Sequence, residues 1–398
     1  MENLKAKIKA LSKTYLEEVI SIRRTIHQHP ELAFQEEQTA QLVAQKLSEY
    51  GIEHQTNIAK TGVVGLIKGK NPDKFVIGLR ADMDALPIEE ANTHDFVSKN
   101  KGVMHACGHD FHTSALLGTA KILNELKEEF EGSIKLIFQP SEEEFPGGAR
   151  VMIEEGVLEN PKVDAMIGQH VYPQLPVGHI GMKSNQYMAS TDELHFKVKG
   201  KGGHAALPEQ NIDPILIASH IVVALQQVVS RNASPAIPTV VSIGNFLGKG
   251  RTNVIPNEVQ MDGILRTFDE DWRMEAQQKI RQIAEGIAQS MGGSCELDIV
   301  RGYPVLVNDK ELTEQSRAFS QQFLGNSFVH ELDFRMTAED FAFYSQKIPV
   351  CFYRVGVRNE EKGITSNLHT PTFDVDEQAL ESAIGLMSWL TVSHLKSI

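Results

Sequence analysis

Along the first 180 residues, apolar positions follow two rhythms. Leu4, Ile8, Leu11, Leu16, Val19, Ile20 and Ile22 recur at helical intervals, the spacing that lines one face of a helix. This pattern predicts helices near 4–28 and 36–50. Phe75-Val76-Ile77-Gly78-Leu79-Arg80 is instead a continuous apolar run and reads as a buried strand. A helix from Asp110 to about Phe130 follows, then a strand from Ser133 to Phe138, a helix from Gly147 to about Glu155 and a strand from Val163 to Ile167. Strands alternating with helices predict an α/β fold: a mainly parallel sheet with helices on both faces.

Near residue 188 the rhythm changes. Leu194 to Lys199 alternates with period two, as a half-exposed strand does. A glycine-rich turn leads to an apolar-periodic helix from about Asp213 to Val229. Strand-like runs Thr239 to Phe246 and Val259 to Phe268 come next, then a helix from about Asp271 to Ser290 and a strand from Cys295 to Arg301. The order β-α-β-β-α-β predicts a ferredoxin-like α+β unit. Helix–strand alternation resumes after Tyr303-Pro304. The simplest organisation is a discontinuous α/β domain, 1–187 and 303–398, interrupted by an inserted domain, 188–302.

A length of 398 residues supports more than one core. The formal charge, 39 − 52 = −13, predicts a surface that repels nucleic acid and anionic membranes. The N-terminal segment has no uninterrupted apolar core with a cleavage site, and no stretch reads as bilayer-spanning. Three cysteines, Cys107, Cys295 and Cys351, do not make a disulfide framework, and an odd count suits a reducing compartment. A cytoplasmic protein is expected.

Unusual residues cluster just after the apolar strands, where ligands bind in open α/β sheets. In Arg80-Ala81-Asp82-Met83-Asp84-Ala85-Leu86-Pro87 two acids one residue apart share a direction. The segment reads either as an Asp-rich turn or as one in which Asp84 accepts the N–H of a metal-ligating imidazole. Met104-His105-Ala106-Cys107-Gly108-His109-Asp110-Phe111-His112 packs a cysteine and three histidines into eight residues. Thiolate and neutral imidazole are zinc-type ligands; a buried structural cysteine or a catalytic Cys–His pair are the rival readings. Asp110 and His112 fall in the first turn of the next helix and are expected to cap or brace it. Phe138-Gln139-Pro140-Ser141-Glu142-Glu143-Glu144 places three carboxylates after a strand, mutually repulsive unless cations lie close. One could ligate while its neighbour moves a proton. His170 and His369 gain weight only from this company.

Together these segments resemble the aminoacylase/carboxypeptidase-G superfamily of di-metal hydrolases, the M20-type metallopeptidases. Within it they are most similar to the amidohydrolase branch with hippurate hydrolases, auxin-conjugate hydrolases and N-acetyldiaminopimelate deacetylases. The resemblance runs from Arg23-Arg24-Thr25-Ile26-His27 and His29-Pro30-Glu31-Leu32 to His369-Thr370-Pro371-Thr372-Phe373, through RADMDALP, MHACGHD and QPSEE in order. It implies five metal ligands, Cys107, His109, Glu143, His170 and His369, holding two divalent ions: zinc, manganese, cobalt or nickel. Cys107 stands where other branches use a bridging aspartate. Glu142 is implied as general base; Glu144 offers another register, and alignment on Gln139-Pro140 places the pair at 142 and 143. The inserted domain is implied to act as a lid and dimerisation domain. Its His204, in Gly200-Lys201-Gly202-Gly203-His204, would stabilise an oxyanion, in its own or a partner's site, while Asn253 and Arg266 contact substrate. The implied reaction is hydrolysis of small N-acyl amino acids by a homodimer or higher homo-oligomer. A dipeptidase and a non-catalytic metal-stabilised binding protein are the alternatives.

Overall fold

A computed structural model describes residues 1–397. The chain divides into two compact units: Met1–Asn185 with Val307–Asp333 and Asp340–Ile398, and Gln186–Leu306 with Phe334–Glu339. The fold is α/β.

The first unit is built on an eight-stranded sheet in the order Glu53–Ile58, Gly62–Lys68, Ser133–Gln139, Val76–Asp82, Ala165–Pro176, Val350–Arg358, Ile180–Met182, Val329–Glu331. Its four middle strands pair in parallel, and antiparallel pairs lie to either side. Every residue of Val76–Asp82 and Ser133–Gln139 is buried, as a sheet covered on both faces requires. Helices Glu2–Gln28, His109–Glu125 and Ala379–Ser397 pack together against it, joining Ile8, Val19, Leu116, Leu123, Leu386 and Trp389 in one core. The hairpin Glu53–Ile58/Gly62–Lys68 was not expected from the apolar pattern. Its outer strand, Glu-His-Gln-Thr-Asn-Ile, is polar and mostly exposed, because an edge strand has solvent where a central one has neighbours.

The second unit holds a four-stranded antiparallel sheet ordered Thr239–Leu247, Glu258–Thr267, Asp192–Lys199, Ser294–Arg301. Asp192–Lys199 buries alternate residues. Leu194, Phe196 and Val198 meet Ile217, Ile221, Trp272 and Ile280 from helices Pro214–Gln227 and Glu270–Ser290. Asp213 and Asp269 begin these helices by accepting backbone N–H groups of their first turns. The connectivity and strand order are ferredoxin-like. One detail departs from the sequence reading: a π-turn extends the first helix to Asn232, making it just long and apolar enough to span a membrane by length and composition. In this unit Ile217, Ala218, Ile221 and Leu225 of that helix are core residues.

Candidate metal centre

The parallel strands Val76–Asp82, Ser133–Gln139 and Ala165–Pro176 bring their distal ends to one place. They supply Asp82 and Asp84, Glu142 and Glu143, and His170. Cys107 precedes helix His109–Glu125, across Gly108. Gly108 has φ 85, and an added Cβ would lie 2.5 Å from Val171 Cγ2, so the bend between Cys107 and His109 needs glycine. His369 arrives from a late loop, itself at φ 60.

These side chains converge. Cys107 Sγ lies 3.5 Å from His170 Nε2 and 3.4 Å from His369 Nε2, and His369 Nε2 lies 3.1 Å from Glu143 Oε1. The donor atoms of Cys107, His109 and His170 lie within 4.8 Å of one another, as do those of Cys107, Glu143 and His369, and of His109, Glu142 and Glu143. Cys107 therefore belongs to two donor triads. Such a shared thiolate can bridge two soft cations.

The hydrogen bonds set which nitrogen of each ring is available. His170 Nδ1 is 2.8 Å from the Val171 carbonyl; a carbonyl only accepts, so Nδ1 carries the proton and Nε2 keeps its lone pair. His109 Nδ1 faces Asp84 Oδ1 at 3.1 Å, leaving Nε2 toward the cluster, the arrangement by which a carboxylate orients a ligating imidazole. The other Asp84 oxygen accepts the Glu143 N–H at 2.9 Å. One buried carboxylate thus holds two neighbouring groups in place.

Two observations test whether cations fit. His109 Nε2 is buried and makes no hydrogen bond among the described residues, which is costly for an atom out of water unless another partner takes it. Burial, then Glu143 and Glu142, push the Cys107 thiol well above its ordinary range. Divalent ions would supply the missing counter-charge. The donor set fits them.

Asp110 and His112 do not cap their helix, whose first turn has no side-chain cap. Asp110 instead receives Arg23 at 2.8 Å and His27 at 2.9 Å. His112 takes the Val171 N–H on Nε2 and gives its Nδ1–H to Asp82 at 2.6 Å. Glu144 is exposed.

In the second unit Gly203–His204 pairs with Val254–Ile255, and Ala205 N–H donates to the Asn253 carbonyl, so His204 and Asn253 are neighbours. His204 Nδ1 accepts the Ala206 N–H at 3.1 Å, which leaves the neutral ring's proton on Nε2. Arg266 lines a cavity of about 480 Å³ with Arg335, Val240, Ile264, Phe334 and Met336, and its Nη1 is buried without a hydrogen bond.

The sequence profile of peptidase family M20/M25/M40 matches residues 78–390. The chain belongs to that family. Among M20 relatives, N-acetylcysteine deacetylase of Bacillus subtilis (strain 168) is 42% identical over 388 residues, 97% of this chain and 99% of the relative. N-acyl-L-amino acid amidohydrolase of Geobacillus stearothermophilus is 44% identical over 307 residues, 77% and 82% respectively. The crystal structure of the Bacillus subtilis YXEP protein, described as a dinuclear metal binding peptidase of the M20 family, matches with a TM-score of 0.83 and 37% identity. That match covers 97% of this chain and 100% of the other.

Sequence reasoning missed several supports of this M20 site. Asp340 N–H donates to Glu142 Oε1 at 3.3 Å. The Asp340 carboxylate is itself gripped by Arg80 at 2.7 Å, by Gln139 and by the Ala149 N–H. Arg80 also holds Asp82 at 2.6 Å. The available signal was the arginine inside an otherwise apolar strand, since a buried guanidinium demands buried acids.

Proposed function

We propose that this chain is a metal-dependent amidohydrolase that hydrolyses the amide bond of small N-acyl amino acids. The observation that carries the reading is Cys107 shared between two donor triads, with a buried carboxylate, Glu142, beside them. Cys107, His109, Glu143, His170 and His369 would hold two divalent ions, and Asp84 would orient His109. Bound ions of this class lower the pKa of water and polarise a carbonyl. Glu142 then takes a proton from the attacking water and delivers it to the leaving amine nitrogen. Its carboxylate is aimed for this by the Asp340 N–H. We assign to His204, through Nε2–H, and to Asn253 the hydrogen bonds to the developing oxyanion. Arg266 would pair with the substrate carboxylate, for which its unsatisfied Nη1 is suited.

The remaining assignments belong to the same proposal. The second unit is the lid and dimerisation domain of a cytoplasmic homodimer. Among the described residues its edge strand Thr239–Leu247 pairs on one side only, with Phe246 and Leu247 exposed and Leu216 and Val223 exposed on the first helix. Light scattering on the purified protein reads the oligomeric state.

The deciding experiment assays N-acetyl and N-benzoyl amino acids beside dipeptides, with and without chelation, in the wild type and Glu142→Gln. Hydrolysis of N-acyl amino acids that chelation abolishes and added metal restores is expected. Glu142→Gln should keep its metal and lose turnover by at least about 100-fold. Chelator-insensitive hydrolysis would sink the metal reading; near-normal turnover in Glu142→Gln would move the base elsewhere.

A further inference from the structure

Glu36 lies in a Gln-Glu-Glu run that looks like a solvated helix start, yet its side chain is fully buried at 0% exposure. It does not cap the helix Glu37–Glu49 that follows it. Its Oε1 accepts the Phe34 N–H at 3.0 Å and the Ser141 N–H at 2.8 Å, and Oε2 accepts the Thr61 hydroxyl at 2.6 Å. A buried carboxylate is tolerated only when satisfied in this way.

The Ser141 contact matters most. Ser141 is itself fully buried, with φ 51, a left-handed conformation that serine disfavours. Its carbonyl accepts the Gly148 N–H at 2.7 Å, and its N–H belongs to Glu36. The turn is pinned at both groups. The next two residues are Glu142 and Glu143. Without an acceptor its buried N–H would be stranded and the left-handed state would lose one of its pins; a return to negative φ would swing the following peptide.

We propose that Glu36 is a positioning residue that holds Glu142 in its working conformation by fixing the strained backbone of Ser141, while Glu143 keeps its own anchor, its N–H on Asp84. The inference rests on Glu142 as base and Glu143 as ligand. A rival account is electrostatic. In it the carboxylate's charge, although burial first and the nearby Asp84 charge second push the Glu36 carboxyl up to about 7, counts for more than its hydrogen bond.

Three variants separate these, with kcat, KM, metal content and thermal midpoint measured on the metal-loaded protein. Glu36→Gln keeps an acceptor for Ser141 and Phe34 and offers its amide N–H to the Thr61 hydroxyl. It should hold kcat within about threefold of wild type. Glu36→Asp keeps the charge but withdraws the oxygens by one methylene. Its kcat should fall at least about 30-fold, with KM and metal content nearly unchanged. Ser141→Gly removes the left-handed penalty, so in that background Glu36→Asp should cost less than about fivefold. This cycle serves also if either single variant is poorly folded, because it compares two backgrounds.

A Glu36→Gln loss as large as that of Glu36→Asp would favour charge and overturn the proposal. So would an unchanged Glu36→Asp, a kcat loss that follows metal loss, or equal penalties in both backgrounds. Near-normal turnover of Glu142→Gln overturns the base assignment and this inference with it. An inactive Glu142→Gln beside an unchanged Glu36→Asp overturns this inference alone.

Discussion

Replacing Asp84 by asparagine should weaken metal binding although the side chain keeps its shape. Asp84 is buried, and each of its oxygens accepts from a different donor: His109 Nδ1–H at 3.1 Å and the Glu143 N–H at 2.9 Å. An amide has one acceptor and one donor end. If its oxygen faces His109, its NH2 opposes the Glu143 N–H, and two buried donors meet. If it turns over, the NH2 faces His109 Nδ1 and favours the tautomer with the proton on Nε2, the atom aimed at the cluster. In both cases the two bonds lose the carboxylate charge, and either two donors oppose one another or the ligating nitrogen is protonated, which sets a penalty of about 2 kcal/mol. That corresponds to about 30-fold in affinity, within the range for groups that orient ligating histidines. The assay is a competitive titration of Asp84→Asn and wild type against a chromophoric chelator, with metal content by mass spectrometry after dialysis. An affinity within threefold of wild type would refute the argument.

Two further outcomes follow from the same structure. His27 is raised to about 9, because its bonds to Asp110 and Glu90 outweigh the burial that pushes it down. Its folded pKa lies above the ordinary 6.5, so its contribution is fully present below about pH 6.5 and is lost as pH rises through about 9, a change of about 3 kcal/mol. Denaturation midpoints of metal-saturated protein should fall across that window and flatten in His27→Gln; parallel curves would count against it. Gly148→Ala would place a Cβ 1.7 Å from the Pro140 carbonyl oxygen, and backbone cannot retreat as a side chain can. Activity should collapse by more than tenfold while circular dichroism stays near wild type, since the clash falls on the loop of Glu142 rather than on the core; unchanged kcat would show that the loop is looser than its contacts imply.

What could be read in advance followed the chemistry of short motifs. Cys107, His109 and the acids after Gln139 stand out because packing alone has little use for them, and Asp84 because it follows a strand end. The apolar rhythm likewise marked Val76–Asp82 and the β-α-β-β-α-β unit. Glu36 and Asp340 were illegible for the opposite reason. Nothing near Asp340 indicates that its backbone N–H meets Glu142, about 200 residues earlier. Glu36 looks like surface until the strand Ser133–Gln139 is laid beside Gly62–Lys68 and brings Ser141 to it. Long-range register decides such contacts, and no local period encodes it. The outer strand Glu53–Ile58 escaped because an exposed polar edge carries the same composition as a loop.

The order in which this chain leaves the ribosome has a consequence for its cation site. His170 is made about 200 residues before His369, some 10–40 s at ordinary rates of synthesis. Helix Ala379–Ser397, whose Leu380, Leu386, Trp389 and Leu390 lie in the central core, comes later still. Until His369 is made, Cys107 lacks its last imidazole neighbour. A chain that ended before it would offer Cys107, His109 and His170 as one donor triad but lack the second triad that His369 completes. A full set of five donors therefore exists only once His369 has been made, so the order of synthesis sets the earliest point at which two ions could be held together.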